Sequence, residues 1–271
     1  MGSFVFISGA AGGLGTAMAH ECARRGFNLY LSDRSEHPPA YAAQLAVRYA
    51  IEVRYHSCEL TSRGSRSALF AALEEEGCRF FGLINVAGRD YEGAFLQRTR
   101  DQVLHLSELI ITANLDLTHQ LLQMCDPTRR FMLINIGSLA AFFPMPYKAT
   151  YSSSKRFLLN FSLALREEIK DFGDVLILCP AGLPTHAESQ RKMKAQGFWG
   201  RATMTDTTRV ARLAIDRALK GRALYVPGLL NPLLACLGAL LPASLLTRFL
   251  GRRWQARQGW AAVDERTDHP V

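Results

Sequence analysis

The sequence predicts an α/β fold: a doubly wound parallel sheet of about seven strands with helices on both faces. Three observations carry this. Short apolar runs alternate with helical patterns along most of the chain. A glycine-rich turn, Gly9 to Gly15, separates the first run from the first helical pattern. Small or polar residues that suit ligands, among them Asn85, Gly88 and Ser138, end several of the runs, where ligands of such sheets bind.

Taken in order, Ser3 to Ile7 reads as a fully buried parallel strand. It ends in Ser8-Gly9-Ala10-Ala11-Gly12-Gly13-Leu14-Gly15. Leu14, Ala17, Met18, Cys22 and Ala23 follow at helical spacing, and the helix stops near Gly26. Glycines between strand and helix let the backbone approach a pyrophosphate, whose charge rests on the helix N-terminus. Asn28 to Ser32 reads as the second strand and delivers Asp33-Arg34 about 20 residues beyond the glycines. An acid there accepts hydrogen bonds from adenosine ribose and suits NAD, whereas an arginine pairs with the 2′-phosphate of NADP. Asp33 repels that phosphate, so the reading leans to NAD over NADP.

Residues 39–50 read as helix, 52–56 as strand and 62–76 as helix. Phe81 to Asn85 is the fourth strand, closing with Asn85-Val86-Ala87-Gly88. A continuous helix is expected over 98–124, with Leu109, Ile110, Ala113, Leu117 and Leu121 on one face and Asn114 at its boundary. Phe131 to Ile136 is a buried strand that leads into Gly137 and Ser138. A helix from Thr150 then carries Tyr151 and Lys155 four residues apart on one face. A free tyrosine is roughly 0.1% phenolate at neutral pH, and a nearby ammonium favours the phenolate. A serine hydroxyl beside them both donates and accepts. Such a trio holds a substrate oxygen while the tyrosine gives or takes its proton. Val175 to Cys179 is the sixth strand, Asp206 caps a helix that ends near Gly221, and Ala223 to Val226 is the seventh strand.

These motifs together resemble the short-chain dehydrogenase/reductase family over roughly residues 3–226, which implies a Rossmann-like fold. The family's TGxxxGxG motif appears as Ser8 to Gly15 with serine for threonine, and its NNAG motif as Asn85 to Gly88 with Val86 for the second asparagine. Asn114, Ser138, Tyr151 and Lys155 match its catalytic tetrad. The resemblance implies that Tyr151 is the general acid/base and that Ser138 orients the carbonyl or carbinol. Lys155 would bind the nicotinamide ribose and lower the Tyr151 pKa, and Asn114 would hold a water in a proton relay. It also implies dinucleotide contacts from Ser8, Gly9, Gly13, Leu14 and Gly15, from Asp33 and Arg34, and from Glu59 and Leu60. Asn85, Ala87, Gly88, Tyr151, Lys155, Pro180 and Thr185 complete that set. Glu59 stands where the family often has aspartate, and Ala181 where it usually has glycine. Residues 184–205 match its mobile substrate lid, and a homodimer or homotetramer is expected.

Composition narrows the classes. Of 271 residues, 48% are hydrophobic and 21% charged, enough for a large core in a globular chain. The net charge of +8 comes from scattered residues, with one cluster at Arg248, Arg252, Arg253 and Arg257, and no nucleic-acid signature accompanies it. Six dispersed cysteines without CxxC read as reduced thiols of a cytoplasmic protein. The histidines form neither HxH nor HExxH, so no metal is expected.

The expected division is a catalytic domain over 1–227, an apolar extension over 228–258 and a polar tail over 259–271. The extension holds no charge from Gly228 until Arg248, and Pro232 and Pro242 are expected to break it into helices. It suits packing on the cleft or a sister subunit, or peripheral membrane contact through 229–254. The functional expectation is an NAD(P)-dependent oxidoreductase that interconverts a secondary alcohol and a ketone. Its substrate would be small and hydrophobic. The alternatives are a membrane-associated reductase of lipophilic ketones or acyl chains, and a non-catalytic dinucleotide-binding sensor or scaffold.

Overall fold

A computed structural model describes residues 2–90, 92–182 and 206–261. Seven parallel strands form one sheet: β1 (Phe4–Ser8), β2 (Asn28–Asp33), β3 (Val53–Ser57), β4 (Phe80–Asn85), β5 (Phe131–Ile136), β6 (Gly173–Leu178) and β7 (Leu224–Tyr225). Their order is β3-β2-β1-β4-β5-β6-β7, so the winding reverses between β1 and β4. Such a reversal opens a crevice at the carboxyl ends of the strands.

Strand side chains alternate between the faces, and each face has its own core. Val5 and Ile7 of β1 pack with Leu14 and Met18 of helix α1 (Gly13–Arg24), Leu45 of α2 (Tyr41–Tyr49) and Ile215 of α7 (Thr207–Leu219). Phe4 and Phe6 face the other way, against Leu69 and Leu73 of α3 (Arg63–Glu75). Both faces are covered, which is why the strands read as unbroken apolar runs. Asp206 caps α7 as expected, accepting from the Arg209 N–H at 2.7 Å.

The helix expected over 98–124 is interrupted. Thr99 and Gln102 form a capping box at the start of α4 (Arg100–Ser107). A π turn follows (Glu108–Thr112), and then α5 (Ala113–Gln123). The interruption has a packing cause. Leu106 and Ile110 face α6 (Ala149–Glu168), whereas Ala113, Leu117 and Leu121 face the sheet. The wider turn rotates the apolar stripe from one core to the other, which hydrophobic spacing does not reveal.

After β7, α8 (Asn231–Leu240) starts with Pro232 in its first turn, and α9 (Ala243–Ala261) starts just after Pro242. The prolines thus divide the apolar extension at helix starts, where a missing N–H costs least. Among the described residues no helix is long and apolar enough to cross a membrane.

Candidate active site

Register sets a polar row across the apolar sheet. Ser32, Ser8, Asn85 and Asn135 stand side by side on β2, β1, β4 and β5, near their carboxyl ends. Gly9 turns away from that row at φ +67°, where an added Cβ would lie 2.7 Å from the Ala87 nitrogen. A Cβ on Gly15 would fall 2.1 Å from the Gly9 oxygen. Gly12 precedes α1 without any side-chain cap. The first-turn N–H groups of α1 are therefore left for an anion. A close backbone cradle and uncapped donors fit a dinucleotide pyrophosphate. Ser8 is buried and accepts from the Ala87 N–H at 3.5 Å. Gly13 and Leu14 open α1, with Leu14 buried beneath the turn.

Asp33 reaches the cradle from the end of β2. Its carboxylate accepts from the Ala11 N–H and the Arg34 N–H, each at 2.9 Å, and Arg34 is exposed. Glu59 turns into its own loop, where it accepts from Thr61 N–H at 3.1 Å and Thr61 Oγ1 at 2.9 Å. Leu60 is buried below it. Pro180, two residues past the end of β6, accepts from the Leu139 N–H at 2.8 Å. Thr185 and the segment 184–205 lie outside the described residues.

The reacting end lies across the crevice. Gly137 passes so near Cys179 that a Cβ would stand 2.7 Å from its sulfur, and Ser138 follows in extended backbone. The Ser138 Oγ accepts from the Ala140 N–H at 3.1 Å and caps a short 3₁₀ segment (Leu139–Phe142). Tyr151 projects from the first turn of α6 and shares a hydrogen bond with Ser138. One turn on, buried Lys155 donates from Nζ to the Ile136 carbonyl at 2.7 Å, and Nζ lies 5.8 Å from the Tyr151 ring centroid. Gly88 leaves room for it, since an added Cβ there would sit 3.6 Å from that Nζ. Four residues drawn from β5, its following loop and α6 are thus gathered at one point.

The electrostatics depart from one expectation. Burial pushes the Tyr151 phenol above its ordinary pKa, the nearby Asp90 carboxylate adds to this, and the Ser138 hydrogen bond only partly opposes it. Burial also lowers Lys155 to about 8, against upward pulls from Cys179 and Asp90. Desolvation is the largest cause of both shifts, so the lysine does not set the direction of the tyrosine shift.

Asn114 sits in the first turn of α5, just past the π turn, and is buried. Among the described residues neither its Oδ1 nor that of Asn85 has a partner. Two buried acceptors without a partner call for a donor, such as water. Asn85 donates to Thr118 Oγ1 at 3.2 Å and to Asn135 Oδ1 at 3.0 Å, and Asn135 donates to Ser162 Oγ at 2.9 Å. Sequence reasoning missed this chain. Its signal was Asn135 itself, an amide inside the apolar run Phe131 to Ile136. Asp90 was missed as well, and nothing in its local sequence marks it. Beside Tyr151, a small cavity is lined by Phe95, Val103 and Leu106 together with Arg98, Gln102 and Lys148.

Comparison with known proteins accords with this geometry. The family model for short chain dehydrogenases matches residues 3–196. A very-long-chain 3-oxoacyl-CoA reductase of Coprinopsis cinerea is 33% identical over 187 residues, which cover 65% of this chain and 52% of that protein. The human 17-beta-hydroxysteroid dehydrogenase type 3 is 29% identical over 175 residues, covering 63% of this chain and 55% of its own. The chain spans about half the length of these relatives. Among solved structures, a short-chain dehydrogenase from Sphingobium yanoikuyae in complex with NADPH superposes with a TM-score of 0.70. It is 26% identical and covers 99% of this chain and 98% of that one. With the glycine cradle, the Ser138–Tyr151–Lys155 cluster and a family match over most of its length, the chain belongs to the short-chain dehydrogenase family.

Proposed function

We propose that this chain is an NAD(P)-dependent oxidoreductase that interconverts a secondary alcohol and a ketone, with a lipophilic carbonyl compound as substrate. The observation that carries the reading is the meeting of Ser138, Tyr151 and Lys155 beside the glycine cradle. The dinucleotide, when bound, supplies the hydride. The cradle and the α1 N-terminus hold its phosphates, with Asp33 at the adenosine side. Lys155, anchored on the Ile136 carbonyl, would hold the nicotinamide ribose, and Asn85, Ala87, Gly88 and Pro180 would contact the dinucleotide between. Ser138 orients the substrate oxygen and Tyr151 donates to it or accepts from it. Developing oxyanion charge is met by these two hydroxyls. Burial keeps the phenol protonated, the form that donates to a carbonyl oxygen; the same group accepts the proton when the alcohol is oxidised. Asn114 holds a water that refills the tyrosine proton.

Tyr151→Phe is expected to bind dinucleotide nearly as the wild type does and to turn over at least about a hundredfold more slowly. Equal turnover of a ketone by both proteins would overturn the assignment, and dinucleotide binding with no turnover by either would favour the sensor or scaffold. Asp33 tilts the cofactor choice to NAD. Paired titrations with NADH and NADPH check this, and tighter NADPH binding would reverse it.

The names of the relatives support a long acyl or sterol-like substrate, and Phe95, Val103 and Leu106 put apolar side chains near Tyr151. A specific observation also favours contact with a membrane surface. Leu229, Leu233, Leu240, Leu245 and Phe249 are each more than half exposed. No Asp or Glu occurs between Gly228 and Arg252, while Arg248 and Arg252 flank the apolar residues. Apolar side chains beside basic ones suit an anionic lipid surface. The reading is of a cytoplasmic enzyme that rests on a membrane through 229–254 and assembles as a homodimer or homotetramer.

A further inference from the structure

One buried charge has no part in the chemistry above. Arg66, in the first turn of α3, is 3% exposed. Its Nε donates to Asp116 Oδ2 at 2.5 Å, and its Nη1 donates to the Leu60 carbonyl at 2.6 Å and to Glu108 Oε1 at 3.5 Å. These acceptors belong to three separate pieces of chain: the loop after β3, the first residue of the π turn, and the first turn of α5. Glu108 and Asp116 therefore bracket both the π turn and Asn114. On its other side the same turn buries Ile110 against Leu158 and Leu159, in the cluster that Tyr151 packs on.

Burying a guanidinium is a poor way to add stability, because desolvation offsets much of the attraction. A planar fork with several donors is, however, a good way to fix the relative placement of several acceptors. A π turn also needs such fixing, since the regular α-helix it replaces is the commoner arrangement. We infer that Arg66 is a positioning residue. By holding the Leu60 loop and both flanks of the π turn in one arrangement, it sets how Asn114 presents its carboxamide to the Tyr151–Lys155 end. This rests on the reading that Asn114 serves the proton relay. It also links the adenosine-side loop to the reacting end through a single side chain.

The test uses the full chain with Arg66→Lys, which keeps the charge but not the fork, and Asp116→Asn, whose side chain is 40% exposed in the wild type. Hydrogen–deuterium exchange is read at the amides of residues 108–114. Turnover is read with a 3-oxoacyl-CoA thioester and the better-bound reduced dinucleotide. Faster exchange confined to 108–114 is expected, with kcat lower by about tenfold, an altered pH profile of kcat, and KM and dinucleotide affinity nearly kept. Unchanged exchange would overturn the inference. So would a lower melting temperature with kcat and its pH profile unmoved, because that is the signature of a brace that only stabilises. A wild-type chain inactive on carbonyl compounds would count against the proposed reaction instead. The exchange data alone would then decide whether Arg66 holds the turn.

Discussion

The two halves of the crevice are built by opposite means. The adenosine side, at β1, β2 and α1, is made from backbone: a glycine turn at φ +67°, the uncapped start of a helix, and one carboxylate tied to the Ala11 N–H. The reacting side, at β4, β5, α5 and α6, is made from side chains held in the core: Asn85, Asn114, Asn135 and Lys155 are all buried. Among the described residues the buried Oδ1 atoms of Asn85 and Asn114 have no partner there, as Ser32 Oγ has none on the other side. A backbone cradle needs little more than the absence of side chains and tolerates any neighbour that leaves it room. A cluster of buried polar groups exists only if the surrounding packing holds it against the cost of desolvation. The difference teaches where each half is vulnerable.

Substitutions can sharpen that contrast. The largest effect is expected at Gly15→Ala, where the new Cβ would meet backbone 2.1 Å away rather than a movable side chain. A loss of about 3 kcal/mol or more is expected, together with loss of dinucleotide binding, checked by thermal melting and by titration. If the variant binds normally, the cradle is looser than this geometry requires.

Lys155→Met probes the other half through pH. The folded chain holds Lys155 at about 8, below its ordinary 10.5. Between those values the unfolded state binds the extra proton, so wild-type stability rises with pH relative to the variant, by up to about 3 kcal/mol. Below about 8 the difference is constant. Melting temperatures of the two proteins across this window check the sign, and parallel curves would mean that the lysine is not buried as a charge. The variant is also expected to lose turnover.

The smallest effect on folding is expected for Leu229→Ser, Leu233→Ser and Leu240→Ser combined. Each side chain is exposed, so each change is worth less than about 0.5 kcal/mol. Flotation with anionic vesicles should nevertheless weaken markedly. Retained flotation, or a change in subunit number without any change in flotation, would point to a sister subunit as what covers these leucines.

The sequence by itself determined the strand–helix alternation, the glycine turn and the pairing of Tyr151 with Lys155. Each is a local pattern: a buried parallel strand is an apolar run, a pyrophosphate site needs adjacent glycines, and a spacing of four residues stacks two side chains on one helix face. It also marked Pro232 and Pro242 as the places where the apolar extension divides.

Tertiary structure alone decided the rest. The π turn before Asn114 arises because one helical segment serves two cores, and no stripe of residues records such a demand. Asn85, Asn135 and Ser162 are linked only through strand register and the packing of α6. The upward shift of Tyr151 comes from burial and from Asp90, a residue 61 positions away in sequence that folding brings near the phenol. Contacts of this kind depend on which faces meet. That is settled by the sum of the packing across the sheet, not by any short stretch of chain.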